Sequence, residues 1–160
     1  MNPIKIFYSY SAEDRHLKDE LERHLGLLIH NGLIETWDRN QVVAGDNVSL
    51  ELVRHFRAAD VILPLISPDY LFNQTVLWEI EGASRRHRRD AVVLPVLVRP
   101  SQWKYSLIGD ICALPFGDMP VSLWRNRDLA WLTVAEGVRR IAEAIRLIRT
   151  LRENNTSMHG

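Results

Sequence analysis

The chain has 160 residues, of which 46% are hydrophobic and 25% are charged, with 20 basic side chains against 20 acidic ones. A chain of this length buries about 70% of its unfolded surface, so it can fold as one domain without disulfides or a structural metal. The zero net charge argues against nucleic acid as a partner, because neutralising phosphates requires a large excess of positive charge.

The sequence carries no signal for export or membrane insertion. No apolar run approaches the ~20 residues that a membrane helix needs, and the first residues lack the pattern of a secretory signal. Cys112 is the only cysteine, which excludes an intrachain disulfide and a thiolate zinc site. We therefore expect a cytoplasmic protein without a membrane partner.

The first third of the chain predicts a strand followed by a helix. Residues 4–8 form a short apolar run rich in strand-forming residues, and a polar stretch follows them. The next apolar positions recur at the spacing of one helix face, at Leu17, Leu21, Leu25 and Leu28. Gly32 should end this helix, because glycine readily takes the positive φ that follows many helices.

The alternation of strands and helices continues along the chain. We predict strands at 33–37, 61–67 and 91–98, helices at 48–57 and 76–88, and a loop at 38–47. A fifth strand is expected near 121–123. The last helix has an apolar stripe formed by Val134, Val138, Ile141, Ile145 and Ile148. Residues 153–160 are polar and small, so we expect a tail or the start of a linker there.

Such an order of elements predicts an α/β fold. Strands alternating with helices favour right-handed crossovers and a parallel sheet covered on both faces, a three-layer sandwich. Five strands suit the flavodoxin-like order 2-1-3-4-5. Ligands of these sheets bind beyond the carboxyl ends of the strands, so the loops after Tyr8, Trp37 and Ser67 are the ones to inspect.

The sequence lacks the motifs of several common kinds of binding and catalytic site. The loop at 9–14 contains no glycine, so it cannot form a dinucleotide fingerprint or a P-loop. There is no G-x-S-x-G elbow, and the histidines form no H-E-x-x-H pair, so we expect neither a hydrolase triad nor a metal. A phosphoacceptor receiver domain shares the topology, but Asp69 lies two residues after its required position beside Pro68, where a turn is the better interpretation.

The motifs that are present resemble those of TIR domains, in order and over about residues 5–151. The first strand reads IFYSYS at 6–11 and is followed by Glu13 and Asp14; the second reads IETWD at 34–38, with Gly45 in the next loop. The match continues with SPDYL at 67–71, WE at 78–79 and VLPVLVRP at 93–100, then with boxes of bacterial members near 114–121. The resemblance implies a TIR domain at residues 1–152.

Members of this family do two different jobs. Many act as adaptors through TIR–TIR contact, whereas others, bacterial ones prominently, cleave NAD+ to nicotinamide and ADP-ribose products with one glutamate. The resemblance places Glu79 at that catalytic position, with NAD+ as a substrate and no cofactor. A single carboxylate suffices chemically, because the cationic nicotinamide leaves as a neutral molecule and needs no general acid. A non-enzymatic adaptor remains the alternative.

The remaining candidate positions are implied by the same resemblance. The substrate pocket would be lined by Tyr10, Ser11, Trp37, Asp38, Gly45 and Thr75. Some enzymatic relatives carry an aromatic residue where this chain has Thr75, four before the glutamate. Trp78 is adjacent to Glu79, and adjacent helix residues point about 100° apart, so Trp78 cannot simply substitute. Whether the product is linear or cyclic ADP-ribose is therefore left open.

The loop at 38–47 predicts self-association. Its ten residues exceed the two to six that usually connect a strand to a helix, and long loops of this kind often have a binding role. In the family this loop docks on a neighbouring domain. We therefore expect other TIR domains as partners, in a homo-oligomer or a filament.

Overall fold

A computed structural model describes residues 1–87 and 89–158 of the chain. Within them, five strands form a parallel sheet: β1 (Ile4–Ser9), β2 (Ile34–Trp37), β3 (Val61–Ile66), β4 (Val92–Val93) and β5 (Val96–Leu97). The order is β2-β1-β3-β4, and β5 pairs with β3 beyond β4.

Helices cover both faces of this sheet. In the described residues they are α1 (Arg15–His24), α2 (Gly26–His30), α3 (Val48–Ala58), α4 (Pro68–Phe72), α5 (Leu77–Arg86) and α6 (Arg127–Ser157). Because successive strand residues point to opposite faces, Ile6 joins a core that includes residues of α1 and α6. Its neighbour Phe7 joins a second core that includes residues of α3 and α5. The predicted three-layer α/β sandwich is confirmed.

The fourth strand and the fifth strand differ from the expectation. The predicted strand at 91–98 is split into β4 and β5 by Pro95, which has no N–H to donate to a strand ladder. Residues 121–123 form a short 3-10 helix and not a strand, directly after Pro120. Within the described residues, the position beside β5 is held by a single bridge, in which Leu114 pairs with Val96. The expected order 2-1-3-4-5 is thus complete only up to β4.

The predicted helices hold with small shifts, whereas α4 (Pro68–Phe72) begins where a turn was expected. The leucine stripe forms two helices that meet at Leu25, and Gly32 follows them with φ +72°. The predicted helix at 76–88 is α5, and its last position, Arg88, lies outside the described residues. Helix α6 continues through Ser157, so the polar residues from 153 form its final turns, while 159–160 lie outside the described residues.

The long helix α6 is fastened to the amino-terminal edge of the sheet. Arg146 donates to the carbonyl of Gly32 at 3.0 Å, and Arg149 pairs with Asp60 at the start of β3. In the part of the chain that the structure describes, neither α6 nor another helix has the length and apolarity to span a membrane.

Candidate active site

Buried polar side chains gather at the carboxyl edge of the sheet. Among the described residues, the buried polar and charged side chains are Ser9, Ser11, Asp14, Lys18, Asp38, Ser67 and Glu79. All of them lie on, or bond to, the segments that follow β1, β2 and β3. Burying a polar group costs free energy unless a partner compensates. A concentration of such groups at one edge therefore marks a candidate functional site.

Glu79 is one of four of these groups with 0% of their surface exposed. One carboxylate oxygen, Oε2, accepts a hydrogen bond from the hydroxyl of Ser9 at the end of β1. The other, Oε1, lies 2.8 Å from Nη2 of Arg39, in the loop after β2. The Ser9 hydroxyl is also 2.9 Å from the hydroxyl of Tyr70 on α4. Three separate segments thus meet at this carboxylate, and a fourth, α4, is linked to it through Ser9.

The surroundings of Glu79 change its acidity. Burial raises the pKa of Glu79 to about 7, although the hydrogen bond from Ser9 and the guanidinium of Arg39 each lower it. Burial also raises the pKa of Tyr70 well above its ordinary value, so this hydroxyl stays protonated. A carboxyl group with a strongly shifted pKa and specific partners is typical of functional sites.

Close packing of two helices holds Glu79 in this place. A side chain at Gly82 would meet the ring of Phe56 at 2.9 Å, so glycine lets α5 approach α3. Ile80 and Ala83, on the inner face of α5, are buried in the core. Before the helix, the side chain of Asn73 caps a short 3-10 turn by accepting a hydrogen bond from the backbone N–H of Thr75 at 2.9 Å. Glu79 lies in the first helical turn, where the helix dipole favours a negative charge.

Asp38 organises the beginning of the loop after β2. Its carboxylate lies 2.7 Å from Nζ of Lys18 and accepts from the backbone N–H of Asn40 at 2.6 Å. The amide of Asn40 donates to the hydroxyl of Tyr10 at 2.6 Å. Burial raises the pKa of Tyr10 to about 12, so its hydroxyl is protonated at neutral pH. This network holds Asp38, the residue before Arg39, in place. It thereby helps to hold Arg39 over the carboxylate of Glu79.

Trp37, directly before this loop, stacks with the rings of two other residues. Its indole is 5.4 Å from the ring of Phe7 and 4.3 Å from that of His55, the latter nearly coplanar at 8°. The indole is half-buried, and it forms one wall of a cavity of about 310 Å³ between β2 and α3. Trp37 therefore anchors the loop to α3.

Three other predicted positions make no hydrogen bond with Glu79. The Ser11 hydroxyl is buried and donates to Glu13. Gly45 has φ +97° in the middle of the exposed loop. Thr75 is exposed, and its hydroxyl donates to Asn73 at 2.6 Å. The assignment of all six predicted positions to a substrate pocket stays a prediction.

A second polar cluster lies beside Glu79 at the same edge. Asp14, fully buried, accepts from the hydroxyl of Ser67 and lies 2.8 Å from Nε of Arg99. Arg99 also donates to Asp69. The cluster ties the segments after β1, β3 and β5 together. Within the described residues, no group of three histidine, cysteine, aspartate or glutamate side chains is placed to hold a metal ion.

Sequence reasoning did not single out several of these residues. Ser9 and Tyr70 contact the Glu79 site, Arg39 covers it, and Asp14 and Arg99 form the neighbouring cluster. For Ser9 a signal was present, since a hydroxyl ends an apolar strand at the edge where ligands bind. Arg39 and Arg99 look like ordinary loop cations in the sequence, because their partners are 40 and 85 residues away.

Comparison with known proteins agrees with this architecture. A protein-family model described as TIR domain matches residues 6–129. An uncharacterized protein of Sinorhizobium fredii, y4lF, is 34% identical over 140 residues; the match covers 86% of this chain and 43% of that protein. The chain thus spans less than half the length of this relative.

The fold is similar to that of a solved TIR domain, from the Toll-related receptor TRR-2 of Hydra magnipapillata. The match has a TM-score of 0.59 at 19% identity, and it covers 84% of this chain and 97% of that one. At this identity the likeness concerns the fold, whereas the family match spans most of the sequence. The chain belongs to the TIR domain family.

Proposed function

We propose that this TIR domain cleaves the glycosidic bond between nicotinamide and ribose in NAD+, with Glu79 as the catalytic carboxylate. The observation that carries the proposal is the enclosure of Glu79, with 0% exposure, among hydrogen-bond donors at the carboxyl edge of the sheet. This edge is where ligands bind in open α/β sheets. The cytosol, where NAD+ is abundant, is the proposed compartment.

The chemistry requires little more than a well-placed negative charge. When the bond from the ribose C1′ to the nicotinamide nitrogen breaks, its electron pair neutralises the cationic ring, and the ribose becomes an oxocarbenium ion. A carboxylate beside the ribose stabilises that cation, more strongly where water is excluded. Water then adds to C1′ and loses a proton, which gives ADP-ribose; capture by the adenine of the same molecule would give a cyclic product.

Access to Glu79 requires a movement of the loop after β2. Arg39 lies over the carboxylate, and the side chain of Glu79 has no exposed surface. NAD+ can therefore reach Glu79 only after Arg39 and its loop have moved. We propose that contact with another TIR domain stabilises the moved loop, so that specific activity rises with protein concentration.

The deciding experiment compares two glutamates of helix α5. Purified protein at high concentration is incubated with NAD+, and nicotinamide is measured for the wild type, Glu79→Gln and Glu81→Gln. Glu81 lies on the same helix and forms no ion pair with any described residue. We expect release to be lost in Glu79→Gln and retained in Glu81→Gln. Equal rates in all three proteins would remove Glu79 from the mechanism.

A non-enzymatic interaction module is the second candidate. The observation that favours it is a group of exposed apolar side chains on the loop after β2 and the start of α3: Val43 at 68%, Val48 at 53% and Leu50 at 67% exposure. Such groups often mark contact surfaces. Sedimentation of the wild type and of Leu50→Ser would show assembly through this surface, and assembly without nicotinamide release would favour the adaptor.

A further inference from the structure

A cavity of about 420 Å³ occupies the place where the fifth strand of the sheet is missing. The outer edge of β4 forms one wall, at Val92 and Val93, and Ile111 and Phe116 form the opposite wall. Helix α6 closes it with Ile141. Its volume falls in the range of pockets that hold small molecules, and its lining is mostly apolar. It lies at the edge of the sheet, apart from Glu79.

The backbone beside this cavity is not free to pair with an added strand. Val92 N and Leu94 N both donate inward, to Asp60 O and Ile62 O on the side of β3. Val93 N points outward, and it donates to Nδ1 of His87 at 3.2 Å. Because the outward N–H of β4 already has an acceptor, the cavity suits a ligand held by its apolar surface better than a peptide strand.

Beside β5, the strand that follows β4, the outer edge of the sheet is covered. Leu114 N donates to Pro95 O and Leu97 N donates to Leu114 O, each at 2.8 Å, so this segment covers the edge beside β5. The segment around Leu114 pairs beside β5 but does not extend alongside β4. The cavity is therefore a consequence of the break at Pro95 and of the short pairing at Leu114.

Arg140 lies at the rim of the cavity, without a hydrogen bond to any residue that the structure describes. Arg140 lines the cavity and is exposed, and it makes no hydrogen bond or ion pair with any described residue. Its neighbour Arg139, by contrast, pairs with Glu136 and with Glu143. An apolar cavity with one available guanidinium at its rim is complementary to an apolar molecule that carries one negative charge.

We propose that this cavity binds a small apolar anion, a ligand with an aromatic or acyl body and a single carboxylate or sulfonate group. The body would lie against Val93, Phe116 and Ile141, and the anionic group would bond to Arg140. The site is independent of the proposed NAD+ cleavage, and it offers this family member a place for a small-molecule effector.

The charge requirement is tested with a matched pair of probes. 8-Anilinonaphthalene-1-sulfonate carries the sulfonate, and N-phenyl-1-naphthylamine is the same apolar body without it. We expect Arg140→Gln to weaken sulfonate binding about tenfold, the loss of one charge-assisted hydrogen bond, and to leave the neutral probe unchanged. Arg139→Gln and Arg140→Lys should both retain sulfonate binding. Equal losses in Arg139→Gln and Arg140→Gln would overturn the proposal.

Location is tested through Cys112, the single cysteine of the chain, which is exposed and lines the cavity. Its rate of reaction with a disulfide reagent is measured with and without the sulfonate probe. At nine times its Kd the probe leaves about one tenth of the sites empty, so we expect the rate to fall about tenfold. An unchanged rate at saturating probe would show that the ligand binds elsewhere, whatever the fluorescence reports.

Discussion

Arg39 Nη2 lies 2.8 Å from Glu79 Oε1, so a cation from the loop after β2 covers the carboxylate that α5 contributes to the edge of the sheet. The guanidinium is about one third exposed, whereas the carboxylate has no exposed surface. Arg39 is therefore the accessible side of this pair, and movement of the loop changes both the access to Glu79 and its acidity.

Replacing Arg39 should make NAD+ cleavage less dependent on assembly. In Arg39→Gln we expect the specific activity at low protein concentration to rise by about tenfold at pH 8.5, which corresponds to about 1.4 kcal/mol for opening the cover. The alkaline pH keeps Glu79 ionised, since Arg39 helps to lower its pKa. Nicotinamide release over a range of protein concentrations measures this. Arg54→Gln, at an exposed position of α3, is the control; loss of activity at every pH would instead give Arg39 a role in catalysis.

The raised pKa of Glu79 predicts a specific pH dependence of stability. Between pH 4.5, the ordinary pKa of the group, and about pH 7, the carboxyl of Glu79 has lost its proton in the unfolded chain and has kept it in the folded protein. The free energy of unfolding should therefore decrease as pH rises through this interval, by about 3 kcal/mol from this group alone, and level off above pH 7.

Urea unfolding of matched variants isolates this contribution. Glu79→Gln cannot ionise, so its stability relative to the wild type should increase by about 3 kcal/mol between pH 4.5 and pH 7.5. Glu81→Gln should follow the wild type over the same interval. A constant difference between Glu79→Gln and the wild type would mean that Glu79 ionises at its ordinary pH in the folded protein.

Gly45 should be sensitive to substitution for a conformational reason. An added side chain would meet nothing within 4 Å, but the residue has φ +97°, which side chains disfavour by ~1 kcal/mol or more. We expect Gly45→Val to reorganise the loop, and so to reduce sedimentation of assembled protein and NAD+ cleavage together, with the thermal midpoint nearly unchanged. Gly26→Val, in equally open space without positive φ, is the control. Full assembly of Gly45→Val would contradict the role of this loop.

The Asp14–Arg99 pair should contribute strongly to stability. Arg99→Leu leaves the fully buried carboxylate of Asp14 without its cation, and we expect the free energy of unfolding to fall by roughly 3 kcal/mol. Arg139→Leu removes only exposed pairs on α6 and should leave the free energy of unfolding nearly unchanged. Urea midpoints of the two variants provide the comparison, and equal values would show that the buried pair adds nothing.

Local patterns in the sequence determined the layers of this protein and the position of its candidate carboxylate. The alternation of apolar runs with helical stripes is a property of neighbouring residues, so it located β1, β2, β3, α1, α3 and α5 to within a few residues. The motif around Glu79 placed it on a helix at the edge where ligands bind. The covering of the sheet on both faces followed from the same alternation.

Only the tertiary structure decided what surrounds that carboxylate. Ser9 and Arg39 are 70 and 40 residues away from Glu79, and no local pattern specifies that they meet. Burial, which raises the pKa of Glu79, likewise depends on the whole fold. The missing fifth strand of the sheet has a similar origin. The apolar run at 91–98 is typical of one continuous strand, but Pro95 has no N–H to donate to a neighbouring strand, so the run is divided there. Strand pairing and enclosure are long-range properties, and they are settled when distant segments pack together.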